Sequence, residues 1–400
     1  MVGKEPAKLP KPEGLREAIA SDHESHEQKF LLQSLPVNDP NWKTMNIMSF
    51  TNRLAGRLGR ILAILSMSLS SSMARESQWK WDLQKSGVET SIRALCAVDE
   101  TTCWFGTGKG TIGRTVDGGQ TWKRFVVEGA EEVEFRDVEA FDARRCLAMS
   151  VGEGAASRIY QTIDGGETWK LAYQNKAPQG FFDGMAFWDE KNGILAGDPV
   201  DGGLVILRTA DGGASWRAID SMPKMKEGEH AFAASGTHLA VARGGHVWVG
   251  TGGRVARVFY SQDFGGNWSI LETPMIAGEA STGIFSLAFK DARHGFAVGG
   301  DYTKEAEGER NAFATSDGGK SWTLLKDDDG LSVFSFRSCL RYVRDPKRVI
   351  VVGPDGCNVS YDEGKTWASF GDQGFHTISV GGSLQATWAA GSDGRIARLK

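Results

Sequence analysis

The sequence predicts an all-β protein, a seven-bladed β-propeller with Asp-box hairpins whose last blade is closed by the N-terminal strand of the mature chain. Three observations carry this. First, an octapeptide of the form Ser/Thr-x-Asp-x-Gly-x-Thr/Ser-Trp recurs at Thr115–Trp122, Thr162–Trp169, Thr209–Trp216, Ser261–Trp268, Thr315–Trp322 and Ser360–Trp367. Only the fourth copy departs from it, with Asn267 at the seventh position. Successive Trp residues lie 47, 47, 52, 54 and 45 positions apart, a spacing that suits one four-stranded unit per repeat. Second, each box is preceded by an apolar strand, a turn and a strand running into Gly. That pattern occurs once more, without a box, at Thr377–Val380, Ala386–Gly391 and Arg395–Lys400. The outer strand missing there is available in Gln78-Trp79-Lys80-Trp81-Asp82-Leu83. Closing a ring in this way removes the open sheet edge. Third, Gly supplies 51 of 400 residues, against roughly 7% in ordinary proteins, as many tight turns require.

Each box sits between two strand-like runs and reads as the turn of a hairpin. The carboxylate accepts hydrogen bonds from turn amides, Gly supplies a positive φ, and the Trp ring covers the junction. Asp117, Trp122, Asp164, Trp169, Asp211, Trp216, Asp263, Trp268, Asp317, Trp322, Asp362 and Trp367 are therefore expected to be structural.

Composition excludes several functions. With 46 basic and 50 acidic residues the net charge is −4, and no Lys/Arg-rich run offers a nucleic-acid footprint. No apolar stretch reaches the length of a membrane-spanning helix. Cys96, Cys103, Cys146, Cys339 and Cys357 form no C-x-x-C pair. They read as small apolar strand residues, with a Cys96–Cys103 disulfide across a short hairpin as the alternative. Neither metal nor cofactor is expected: the glycines of Gly106–Gly110 lack dinucleotide spacing, and Lys109 precedes Gly110 rather than Ser or Thr.

Residues 1–44 lack periodicity and read as a disordered or over-called extension. Residues 45–74 read as a signal peptide: Met45 and Met48 as alternative starts to Met1, then Arg53, Arg57 and Arg60, an apolar run from Ile61 to Leu69, and Ser72 and Ala74 at a cleavage site. Export to the periplasm or medium follows, with residues 75–400 as a monomeric propeller.

The boxes match the Asp-box, or bacterial neuraminidase, repeat. Over residues 78–400 the seven-unit layout resembles the photosystem II stability/assembly-factor-like propellers. That resemblance implies a scaffold holding a partner protein. The same repeat occurs in sialidases and xyloglucanases, which makes a glycoside hydrolase the alternative.

Ligands of propellers usually bind in the central funnel, at the start of each innermost strand. With Arg136 as reference, the aligned positions are Arg93, Asp183, Glu229 or His230, Phe285 or Ser286, Arg337 and His376, with Asp137 and Ser338 adjacent. The connections between second and third strands add Lys109, Asp198, Asp201, Asp301 and Asp393, and Tyr302–Arg310 forms an acidic loop. Arg93, Arg136 and Arg337 would accept an anionic or carbohydrate ligand or a protein terminus. Asp183 and Glu229 would orient it or, in an enzyme, act as acid and base. Against catalysis, Arg93 is followed by Ala94 and Leu95 rather than a sialidase Ile-Pro, and no Tyr occupies a strand start.

Overall fold

Short runs of alternating apolar and small residues, each broken by Gly and Asp, favour antiparallel strands over helices. In the computed structural model, which describes residues 79–400 apart from 220, 221 and 328, these runs form seven antiparallel sheets. The extension assigned to residues 1–44 and the leader assigned to 45–74 lie outside the described residues. Blade 1 runs outward from Ile92–Ala97 through Cys103–Thr107 and Thr111–Thr115 to Lys123–Val126. The innermost strands of blades 2 to 7 are Glu134–Ala140, Phe182–Phe187, Leu239–Ala242, Thr282–Phe289, Cys339–Tyr342 and Thr377–Val380. Six sheets have four strands; blade 5 has six, because Glu229–His230 and Gly252–Gly253 pair onto its inner edge.

The first strand of the propeller closes the ring. Trp81–Lys85 pairs with Arg395–Leu399 in blade 7, from Trp81 opposite Leu399 to Lys85 opposite Arg395. Lys80 and Lys400 exchange backbone hydrogen bonds of 3.1 and 2.9 Å beyond it. The closing strand begins three residues later than Gln78. Trp81 precedes Asp82, the partner of Arg398, as Trp122 precedes Lys123, the partner of Arg114. Trp81 thus occupies in the boxless blade the place of a box Trp.

The apolar core is divided among the blade junctions. Seven clusters each join two neighbouring blades, including one of Ile92, Phe105, Trp388 and Ile396 that joins blade 7 to blade 1. The box Trp residues reach back toward the preceding blade: Trp169 stands edge-on to Trp104 at 6.4 Å, and Trp216 packs with Leu147 and Met149. Trp81 does the same against blade 6, and its Nε1 donates to Cys357 Sγ at 3.2 Å.

Each box is a closed hydrogen-bond unit. Asp117 Oδ1 accepts from Thr115 Oγ1 at 2.8 Å and from the Thr121 amide at 2.9 Å, while Oδ2 accepts from Thr121 Oγ1 at 2.6 Å. The same set recurs around Asp164, Asp211, Asp317 and Asp362. In the fourth box Asn267 keeps the pattern, its side-chain amide replacing the hydroxyl donor at 2.7 Å.

These donors hold the carboxylates in their ionised form. The hydroxyls of Thr121, Thr168 and Ser321, with the amides of the same residues, lower Asp117, Asp164 and Asp317 to about 2. The backbone and side-chain amides of Asn267 do so for Asp263. A carboxylate lowered on folding stabilises the fold above its unfolded pKa, about 4. That contribution is lost as pH falls through the folded value. Chemical denaturation across pH should therefore show a steep fall in stability between about pH 4 and pH 2, and Asp117→Ala should make it shallower.

All five cysteines are free. Cys96 lies opposite Trp104 and Cys103 opposite Ala97, so the two thiols stand one register step apart on opposite faces of the sheet, which rules out the disulfide alternative. Among the described residues, no helix is long and apolar enough to cross a membrane.

Candidate functional site

The site is built by a register slip. At the start of the innermost strand in blades 1, 2, 3 and 5, pairing jumps one residue, between Ile92 and Ala94, Phe135 and Asp137, Phe182 and Gly184, and Ile284 and Ser286. A β-bulge leaves one residue unpaired and re-aims its side chain. The residues so released, Arg93, Arg136, Asp183 and Phe285, all line one cavity of about 440 Å³ at that end of the central channel.

The same register locates the remaining positions. The residue after the released one pairs with the fourth residue of the next strand, as Asp137 does with Met149. Leu239 pairs so with Val249, Cys339 with Val352 and Thr377 with Ala390. The blade 7 position is His376, as expected, and it lines the cavity. The blade 6 position is Ser338, not Arg337, and the blade 4 position is His238, not Glu229 or His230.

Three expected site residues are therefore placed elsewhere. Arg337 is turned outward, donating to Asp355 Oδ1, Ser335 Oγ and Asn358 Oδ1 and lying over the Phe334 ring. Glu229 is fully buried, gripped by Arg257 through both carboxylate oxygens and by Thr251 Oγ1 at 2.7 Å. It is a structural ion pair, and its carboxylate has no access to ligand. Asp137 accepts from the Met185 amide at 2.7 Å and faces the opposite end of the channel. His230 does reach the cavity, on the strand added to blade 5. Of the connecting residues Asp198 lines it, as do Tyr302 and Glu305 of the acidic Tyr302–Arg310 loop. Lys109, Asp201 and Asp393 hold left-handed turn positions, and Asp301 caps its own turn through Thr303.

The channel is not open. The segment before the blade 4 inner strand, residues 231–238, runs along its axis and bonds to blades 1, 2, 3, 5 and 6. Arg136 Nη1 donates to the Ala233 carbonyl at 3.1 Å and Arg93 Nη1 to that of Ala234 at 3.5 Å. Ser235 Oγ donates to the Ser338 carbonyl, and Thr237 Oγ1 to Ser286 Oγ at 2.8 Å. Gly236, at φ 70°, lies so close to Asp137 that a Cβ would sit 2.5 Å from its carboxyl carbon. Only glycine fits there. This plug divides the channel into two chambers, the funnel-side cavity on one end and a second of about 600 Å³ on the other.

The funnel-side chamber has two unlike walls. Blades 1, 2 and 7 contribute Arg93, Arg136 and His376. Burial, then the nearby Arg136 charge, lowers Arg93, which forms no ion pair among the described residues. Arg136 has one carboxylate partner, Glu134, at 3.0 Å. Burial and the two guanidiniums, together with Arg395, push His376 down to about 4, so it is neutral at pH 7. Asp183 is 1% exposed with Oδ2 unpartnered. Burial first, and then Asp198, raises its carboxyl well above the ordinary aspartate value. The opposite wall is aromatic. Phe232 stacks on Phe285 at 4.0 Å, Phe336 meets Phe285 edge-on at 4.9 Å, and Tyr302 closes the rim.

Phe232 and Phe336 are not among the sequence-read site residues because they arrive on irregular segments outside the paired strands, whereas Tyr302 belongs to the acidic loop that the sequence singles out. The available signal was Ala231-Phe232-Ala233-Ala234, an apolar run inside a connection.

No family model and no curated protein matches the chain. Among solved structures it is similar to YCF48 bound to D1 peptide, at 16% identity over 81% of this chain and 95% of that one, with TM-score 0.58. The fold is that of a seven-bladed propeller. YCF48 from Cyanidioschyzon merolae matches at 15% identity, covering 80% and 98% of the two chains with TM-score 0.56. A GH74 enzyme from Niastella koreensis matches at 14%, over 71% of this chain and 47% of that one, with TM-score 0.50.

Proposed function

We propose that the protein is a binding scaffold that takes a protein segment with an exposed carboxylate and an adjacent apolar side chain into the funnel-side chamber. One observation carries this reading: Arg93 and Arg136, aimed into the chamber by bulges, face an aromatic wall across a cavity closed behind by the plug. Arg136 is paired with Glu134, while Arg93 has no ion pair among the described residues. The Arg93 guanidinium, with Arg136 beside it, can therefore hold an anion by charge-assisted hydrogen bonds, even though Glu305 also lines the chamber. The aromatic wall supplies apolar area for a neighbouring side chain. The resemblance to photosystem II assembly factors and the bound peptide of the similar YCF48 structure support a protein partner. On the leader read at residues 45–74, we place this activity outside the cytoplasm.

The glycosidase reading is weakened by the placement of Glu229, which leaves Asp183 with Asp198 as its acid pair.

The test uses the full chain and a panel of synthetic peptides with free or amidated C-termini. Free-carboxylate peptides ending in an aromatic or aliphatic residue should bind, and amidation should weaken binding at least about tenfold, or 1.4 kcal/mol. Arg93→Ala combined with Arg136→Ala should cause a similar loss of binding in protein that still folds, with a lower Tm because the two side chains also hold the Ala233 and Ala234 carbonyls. Binding indifferent to amidation and to both substitutions would refute the assignment. Hydrolysis of a glycoside panel, lost in Asp183→Asn, would establish the enzyme instead.

A further inference from the structure

The second chamber, on the far side of the plug, has its own chemistry. It is lined by the ends of innermost strands, at the position paired with the second residue of the next strand, in blades 1, 2, 3, 6 and 7. In five blades that position is Cys96, Ala186, Val241, Ala288 or Ser379. In blade 2 it is Glu139, opposite Leu147, and in blade 6 it is Arg341, opposite Ile350. Two opposite charges therefore stand on a ring of neutral groups, with blades 7 and 1 between them.

They do not pair. Among the described residues Glu139 has neither ion pair nor hydrogen bond. Arg341 donates only to its neighbour's carbonyl, Leu340, at 3.4 Å. Asp137, 6% exposed, lies two residues before Glu139 on the same strand face and lines the same cavity. The inner part of the chamber thus carries two carboxyls on one side and one guanidinium on the other, with Arg344 at the exposed rim. Half-buried charges that face a gap without closing it are costly unless something fills it.

We propose that this second chamber is a binding site for a free basic amino acid. Its cationic side chain lies against Asp137 and Glu139 and its carboxylate is held by Arg341. The charge count favours this class. Two carboxylates and one guanidinium are complemented by a ligand with two cationic groups and one carboxylate, such as lysine or arginine. The volume, about 600 Å³, lies in the range of small-ligand sites and exceeds what one amino acid fills.

Titration supports the geometry. Burial, with the charge of Asp137 added, lifts Glu139 to about 8, and burial lifts Asp137 to about 7. The empty pair thus retains a proton at neutral pH, and a bound cation would displace it. The other titratable or charged groups lining the chamber are Cys96 and Tyr342, both pushed up by burial, and the guanidiniums of Arg341 and Arg344.

The experiment is calorimetric titration of the full chain with L-lysine and L-arginine, run in two buffers of different ionisation heat. Norleucine and citrulline serve as uncharged isosteres, and agmatine lacks the carboxylate. The expected result is saturable one-site binding of lysine or arginine with proton release at pH 7. The isosteres and agmatine should bind at least about tenfold more weakly. Glu139→Gln and Arg341→Met should each cause a comparable loss in folded protein. If either variant fails to fold, the ligand series on the unaltered chain decides. No saturable binding of either basic amino acid, or binding matched by norleucine and agmatine, overturns the proposal.

Discussion

A chain shortened to begin at Ser86 is expected to lose several kcal/mol of stability and to self-associate. The deletion removes the outer strand of blade 7 and takes Trp81 out of the blade 6–7 junction. Losing a large aromatic from a packed site costs about 3 kcal/mol by itself, before the strand's hydrogen bonds to Arg395–Leu399 are counted. The deletion also exposes Arg395–Leu399 as an unpaired edge, a template for pairing with another chain. Denaturant titration and size-exclusion chromatography read the two effects. A monomer with an unchanged midpoint would show that the ring does not depend on its closing strand. Trp81→Ala should reproduce only the aromatic part of the loss, about 3 kcal/mol, without the self-association, because the backbone ladder remains.

The second large effect is expected at Arg257. Its guanidinium is 5% exposed and holds the fully buried Glu229 carboxylate, which also accepts from Thr251 Oγ1 and the Lys226 amide. Arg257→Met strands that carboxylate in the interior, and breaking a buried pair from one side costs about 3–5 kcal/mol. Replacing both partners, as Glu229→Leu with Arg257→Met, should recover most of the loss, since an apolar pair of similar volume needs no counter-charge. The four proteins form a double-mutant cycle read by chemical denaturation. A single substitution costing under about 1 kcal/mol would mean that water or another group satisfies Glu229. The same cycle separates a structural role for Glu229 from a catalytic one, because the double variant should fold while lacking the carboxylate.

What the sequence made legible follows from where the repeat is chemically constrained. Every box needs a carboxylate, a left-handed glycine and a hydroxyl or amide donor at fixed offsets, so six hairpins and the number of blades can be read directly. Arg93, Arg136, Asp183 and His376 were readable because blades 1, 2, 3 and 7 keep the reference register. Blade 6 was misread by one residue. Arg337 and Ser338 are both polar, and nothing local shows which of them the strand start selects. Blade 4 was misread by eight, from His238 to His230, because the chain there carries an inserted segment. Glu229-His230, an acidic and a basic residue before an apolar run, imitates a strand start. The plug itself has no periodicity to betray it. Its small residues resemble a loop, and only the approach of Arg93, Arg136, Ser338 and Ser286 from other blades shows that it lies on the axis.

That axial segment changes how the ring resists opening. In a ring whose members touch only their neighbours, one blade can loosen while the far side stays intact, and stability is close to a sum of local terms. Residues 231–238 act instead as a hub, with spokes to blades 1, 2, 5 and 6 and a root in blade 4. Pulling any of those blades outward draws on a tether shared with the rest, so fluctuations that would stay local become collective. The amides of the inner strands should then exchange with solvent in a single slow class rather than blade by blade. A ligand pressing on Ala233 and Ala234 from the funnel side would be felt on the opposite side of the ring.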